Sequence, residues 1–164
     1  GYARQEISGK GDPRPIDRFA DQGNGDVAAY NQIGKAFEET GILCNFADSG
    51  MTYELLAKLL ATGTGHREFQ EVDYLNLVGE RIVCLERCFN VREGFSRKDD
   101  TLPERMLKEP LPDAGPATGE TVRDLDALLD EYYDSLGYSR DGIPTAEKLR
   151  ELGLEHVSLG AGSM

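Results

Sequence analysis

Three cysteines, two histidines and thirty carboxylates are the reagents this chain offers. Cys84 and Cys88 stand one helical turn apart, a spacing that would turn two thiolates toward one metal. A tetrahedral site needs two further ligands, and no Cys-x-x-Cys or nearby His supplies them. Two small side chains packed on a helix face is therefore the preferred reading, and a disulfide between them would run against helical side-chain directions. His66 follows a Gly-rich turn and His156 lies near the tail; neither has the Ser or Cys and Asp neighbours of a triad, so both are expected at the surface. Gly23-Asn24-Gly25 and Gly63-Thr64-Gly65 lack the Gly-Lys-Ser/Thr ending of a phosphate loop, and the first also lacks the acidic ligands of a calcium loop. They read as turns. The acidic run from Asp124 to Asp134 has helical spacing and reads as a solvated face that could assist electrostatic docking. Cys44 differs in context. It lies just past a predicted helix end, inside the apolar segment Ile42-Leu43-Cys44-Asn45-Phe46, which is expected to be buried against a partner element. There a thiolate could ligate a metal centre whose other ligands come from outside this chain; on spacing alone an inert buried thiol is the alternative.

Composition narrows the classes of partner. Eighteen basic against thirty acidic side chains give a net charge of −12 at pH 7. Nucleic-acid affinity comes largely from Lys and Arg displacing counterions from phosphates, so nucleic acid and anionic membrane surfaces are excluded as first guesses. A length of 164 residues suits one domain or a large piece of something longer, able to bury roughly 70% of its unfolded surface. No run approaches the ~20 apolar residues of a membrane-spanning helix, and the richest, Leu55 to Ala61, is broken by Lys58. The opening residues Gly1 to Glu6 lack the apolar centre of a secretory signal, and three cysteines cannot all pair within one chain. A reducing, cytoplasmic setting is expected, and the opening segment reads as the interior of a longer protein.

The elements that must position these groups are helical. Residues 1–25 carry Gly9, Gly11, Pro13, Pro15, Gly23 and Gly25 among charges and read as an irregular arm. Asp26 is placed to cap a helix over Val27, Ala28, Tyr30, Ile33, Ala36 and Phe37 that stops near Gly41. Thr52 can cap a second, Tyr53 to Ala61, ended by Thr62-Gly63-Thr64-Gly65. The strongest periodicity runs from Val72 to Val91, with Val72, Leu75, Val78, Ile82, Leu85 and Phe89 as the predicted core stripe and Leu77, Cys84 and Cys88 on a flank. After Gly94 comes an extended, Pro-rich connection to residue 120, with a short helix expected around Glu104 to Lys108. Leu125 to Leu136 form an amphipathic helix stopped by Gly137, and Pro144 is placed to open a last helix ending at Gly153. The expected fold is all-α and irregular, about five or six helices over residues 26–157, with a flexible tail at 158–164.

The string Gly79-Glu80-Arg81-Ile82-Val83-Cys84-Leu85-Glu86-Arg87-Cys88-Phe89-Asn90-Val91-Arg92-Glu93-Gly94-Phe95, continuing through Ser96-Arg97-Lys98-Asp99-Asp100-Thr101-Leu102-Pro103-Glu104-Arg105, closely resembles the C-terminal region of the tungsten-containing aldehyde:ferredoxin oxidoreductases. Leu128-Leu129-Asp130-Glu131-Tyr132-Tyr133 and Asp141-Gly142-Ile143-Pro144-Thr145 extend the likeness. The resemblance implies a domain of a larger, multidomain enzyme that oxidises small aldehydes to carboxylic acids, with a tungsten (or molybdenum) bis-pterin beside one 4Fe-4S cluster and ferredoxin as acceptor. It implies that three cluster cysteines lie upstream of this chain and that Cys44 matches the fourth, a metal ligand. Within Glu39-Thr40-Gly41-Ile42-Leu43-Cys44, Glu39 stands where the family has a pterin-contacting Asp and Ile42 where it often has Gly. Glu39 and Leu43 are accordingly the cofactor-binding candidates. The family's proton-transfer residues fall upstream of Gly1, so no catalytic residue is expected here. The implied local share is cluster ligation and substrate-channel walls, with the parent's remaining domains as partners and a homo-oligomer compatible with the pattern. Alone, the chain is expected to bind no cofactor and to be inactive. The alternative from another class is a non-catalytic helical interaction module that retains only the scaffold.

Overall fold

The computed structural model describes residue 17, residues 19–42, residue 44 and residues 51–159. The rest of the N-terminal arm, Leu43, residues 45–50 and the end of the tail lie outside the described residues. Six α-helices occur among those described: α1 Gly25–Thr40, α2 Tyr53–Thr64, α3 Val72–Arg92, α4 Glu104–Lys108, α5 Leu125–Leu136 and α6 Ala146–Glu151. The only β pairing among them is a single bridge between Tyr138 and Pro144.

Several boundaries follow from local chemistry. The Thr52 hydroxyl accepts from the Leu55 N–H at 3.3 Å and opens α2. That helix runs on through Thr62 and Gly63, because the left-handed stop falls at Gly65, φ +78°. Asp124 caps α5 through the Ala127 N–H at 2.9 Å, and Gly137 ends it at φ +69°. Pro144 does not open α6. It precedes Thr145, whose hydroxyl accepts from the Lys148 N–H at 3.2 Å and is the true cap.

The start of α1 is built differently from the expectation of an Asp26 cap. The helix begins two residues earlier, at Gly25, and the Asn24 side chain at the cap position makes no capping bond. The Glu131 carboxylate of α5 instead accepts from the Gly23 N–H, at 2.7 and 2.8 Å, and from the Gly25 N–H at 3.1 Å. A charge from a distant helix thus satisfies donors that a helix start leaves unpaired.

Helix α1 lies between α3 and α5 and spans both apolar clusters. Ile33 joins Val83, Cys84, Cys88, Tyr133, Leu136 and the α6 region; Phe37 joins Tyr53, Leu56, Ala57 and Leu75. The predicted stripe on α3 is rotated. Its buried residues are Leu75, Asn76, Gly79, Val83, Cys84, Cys88 and Val91, while Leu85 and Phe89 face outward. The physical reason is Gly79, where a Cβ would collide with the Ile33 carbonyl oxygen. The closest helix approach selects the small-residue face and leaves larger apolar side chains outside.

Candidate functional site

The site begins with how firmly α1 is held. At its start, a Cβ on Gly25 would strike α5 at the Leu128 carbonyl. At its middle it crosses α3 at Gly79, and toward its end the Phe37 ring stacks on Tyr53 of α2, with centroids 5.9 Å apart and planes at 26°. Phe37 is fully buried, and Glu38 beside it is buried with its carboxylate 3.4 Å from the Lys35 ammonium. The last turn closes through the Gly41 N–H to the Glu38 carbonyl at 3.1 Å and the Ile42 N–H to the Glu39 carbonyl at 3.0 Å.

Past that turn the candidate residues emerge. Glu39 and Cys44 are both exposed at the same end of α1. Ile42 is 93% exposed, and its backbone is left-handed at φ +53°. The expectation that this apolar segment is buried is therefore corrected for Ile42 and Cys44, the two described residues of its five. Leu43, the other cofactor-binding candidate, lies outside the described residues. The C-terminal pole of a helix carries partial negative charge, and no basic side chain occupies the last turn of α1. Together with Glu39 this makes an acceptor-rich end, suited to N–H donors of a heterocycle. The Cys44 thiol, five residues further along the chain, is exposed, and a thiolate suits a soft metal.

The other two cysteines are placed for packing. Cys84 and Cys88 are both buried. Contact with the Cys88 sulfur, and then burial, push the Cys84 thiol well above the ordinary range, so it stays protonated. Tyr138 lies against them, its phenol raised chiefly by burial and its hydroxyl without an oxygen or nitrogen partner among the described residues. His66 and His156 are exposed, as expected.

Sequence reasoning missed a set of positioning residues. Arg87 on α3 donates from both terminal nitrogens to Asp100, at 2.9 and 2.6 Å, and from Nε to the Gly142 carbonyl at 2.6 Å. The Tyr133 hydroxyl donates to the same Asp100 carboxylate, and the Arg87 and Arg97 guanidinium carbons lie 5.8 and 5.5 Å from the Tyr133 ring centre. Arg97 also meets Asp126 at 3.0 Å and Asp130 at 2.6 Å, and Arg140 meets Asp130 and Asp134, each at 3.0 Å. Much of the acidic face of α5 is thus spent inside the molecule. The only sequence signal was charge content, since these partners sit far apart in the chain.

A cavity of about 950 Å³ opens between the start of α1, the Pro-rich connection and α5. Phe19, Met106, Leu111, Val122, Leu129 and Tyr132 are among its lining residues, so its wall is largely apolar.

Comparison with known proteins decides the family. A model described as "Aldehyde ferredoxin oxidoreductase, domains 2 & 3" matches residues 2–154. The chain belongs to the aldehyde ferredoxin oxidoreductase family. Among its curated relatives, the tungsten-containing aldehyde ferredoxin oxidoreductase of Pyrococcus abyssi is 39% identical over 130 residues, 79% of this chain and 21% of that protein. The Pyrococcus furiosus enzyme of the same name is 43% identical over 113 residues, 68% of this chain and 18% of its own. A Pyrococcus furiosus protein named "Aliphatic sulfonate oxidoreductase, WOR-like subunit" is 33% identical over 132 residues, 75% of this chain and 20% of its own. Among solved structures, the active-site complex BamBC of benzoyl coenzyme A reductase with 1,5-dienoyl-CoA superposes with a TM-score of 0.53 at 32% identity, covering 65% of this chain and 14% of that one. The chain spans about a fifth of the length of the curated family members it matches. No helix among the described residues is long and apolar enough to cross a membrane.

Proposed function

We propose that this chain is the C-terminal domain of an aldehyde:ferredoxin oxidoreductase-type enzyme, and that its chemical contribution is one thiolate, Cys44, to a 4Fe-4S cluster shared with upstream polypeptide. The single observation that carries this reading is the exposure of Cys44 just past the end of a helix held on three sides. A ligand for a shared cluster has to reach outward, and Cys44 is exposed just beyond a helix that is itself firmly packed. The donor set fits. Among the described residues no group of three or more His, Cys, Asp or Glu could hold a metal by itself, in keeping with a ligand whose companions come from other polypeptide. When bound, the cluster supplies one-electron transfer between a tungsten pterin and ferredoxin.

The remaining roles belong to this chain's own side chains. Glu39 presents a carboxylate at the negative pole of α1, where it accepts hydrogen bonds from pterin N–H groups. Leu43, the residue before the thiolate in sequence, is the second proposed cofactor-binding position. The apolar groove between α1, the connection and α5 walls the channel along which an aldehyde reaches the reaction centre, excluding water without taking part in bond making. The conversion is aldehyde to carboxylic acid, with ferredoxin taking the electrons.

The test is Cys44→Ala in the full-length enzyme, read as iron and labile sulfide per chain and as the electron paramagnetic resonance of the reduced protein. Loss of the four-iron signal in a folded protein is expected; an intact four-iron cluster would sink the assignment. The 164-residue chain, supplied anaerobically with iron and sulfide, is expected to acquire no stoichiometric cluster, because one thiolate does not assemble one.

A further inference from the structure

Left-handed glycines end or follow the other long helices of this chain. Gly65 closes α2 at φ +78°, Gly94 follows α3 at +95° and Gly137 closes α5 at +69°; Gly153, just past the shorter α6, stands at +65°. Helix α1 alone among the four uses an isoleucine, Ile42 at φ +53°. A β-branched side chain there sets Cβ against the following carbonyl oxygen, and glycine makes the same turn without that clash. Among the described residues nothing covers that side chain, for Ile42 is 93% exposed. A branched apolar side chain that is both strained and bare needs its compensation from a surface beyond this chain.

We infer that Ile42 is a docking anchor and water shield for the cluster corner at Cys44, buried in the full-length protein by the upstream polypeptide that brings the other cluster ligands. This rests on the assignment of Cys44 given above. Two facts select that occupant. Ile42 is two residues from the candidate ligand, and curated family members carry about four-fifths of their length outside the matched region. The strain has a use, since the left-handed turn takes the chain out of the helix toward Cys44 while its side chain fills the contact. An apolar group beside a cluster thiolate keeps water from the sulfur, which holds the reduction potential down and slows loss of iron.

Three substitutions in the full-length protein test this. Ile42→Gly keeps the turn and deletes the shield, so the protein folds and carries its cluster as purified. Iron is then lost to a chelator about tenfold faster, and the cluster midpoint moves to a more positive potential. Ile42→Val, which keeps a branched apolar group, stays near the parent in both. The thiol introduced by Ile42→Cys resists alkylation in the native protein and reacts after unfolding. Unchanged chelator kinetics and midpoint in Ile42→Gly, or alkylation of Ile42→Cys at the unfolded rate, would overturn the inference while leaving Cys44 as a ligand. A four-iron cluster that survives Cys44→Ala instead removes the ligand assignment, and the shield with it.

Discussion

Two thiol neighbourhoods in this molecule use the same side chain to opposite ends. Cys44 is exposed past the last turn of α1, two residues after a left-handed isoleucine. Cys84 and Cys88 sit mid-helix on α3, sealed by α1, Tyr133, Tyr138 and the α6 region. Surroundings distinguish them: contact with the Cys88 sulfur, and then burial, hold Cys84 in the neutral thiol form, which is a poor metal ligand, whereas Cys44 is exposed past a helix end. Alkylation of the native 164-residue chain therefore modifies one thiol, and Cys84 and Cys88 react about a thousandfold more slowly, at the pace of unfolding. Peptide mass spectrometry reads this directly. Equal rates for Cys44 and Cys88 would abolish the contrast.

The next largest effect lies where α3 meets α1. Gly79→Ala puts a methyl group against the Ile33 backbone carbonyl, which cannot rotate away, and costs about 3 kcal/mol in denaturant unfolding. Gly63→Ala is its counterpart on α2, with nothing within 4 Å of the added carbon. That change stabilises by about 0.5–1 kcal/mol through helix propensity. Opposite signs for two Gly→Ala changes in helices would separate packed from open helix face; equal signs would refute the close approach.

Ion pairs sort along the same line. Arg87 is largely buried, binds Asp100 through two nitrogens and also holds the Gly142 carbonyl. Arg87→Ala leaves Asp100 and that carbonyl without their donor and costs about 2–3 kcal/mol, with little dependence on salt. Lys108 pairs with Glu104 on the open surface of α4, and Lys108→Ala changes stability by less than about 0.5 kcal/mol. Urea melts at low and high ionic strength measure both.

What was legible beforehand divides in the same way. Short-range signals worked: Thr52 caps α2, Gly137 stops α5, and Glu104–Lys108 is the short helix in the connection. Each rests on atoms within a few residues of one another. The face of α3 was misread because periodicity weights Leu85 and Phe89 by hydropathy and has no knowledge that Gly79 admits a second backbone. The cap on α1 was misread because its carboxylate, Glu131, arrives from another helix. At the candidate site, residue types and family likeness pointed to Cys44 and Glu39. Their exposure was not legible, since Ile42 reads as a core residue and its unfavourable turn is visible only in the backbone.

The smallest effect concerns Tyr138, beside the buried thiols. Among the described residues its buried hydroxyl has only the weakly polar Cys84 sulfur in place of the water it lost on folding. Tyr138→Phe keeps the ring and removes the uncompensated group, which raises stability at neutral pH by up to about 1 kcal/mol. The pH dependence has a definite sign. Burial, and then the neighbouring Cys84, raise this phenol in the folded state, so the unfolded chain loses its proton first as pH rises. The stability tied to that proton is fully present below the unfolded value of about 10 and drains away above it. The Tyr138→Phe protein therefore keeps more of its stability than the parent between about pH 10 and 11, measured as the shift in urea midpoint. A loss of stability at pH 7 would mean that the hydroxyl has a partner after all, and the α3 thiols would be the first place to look for it.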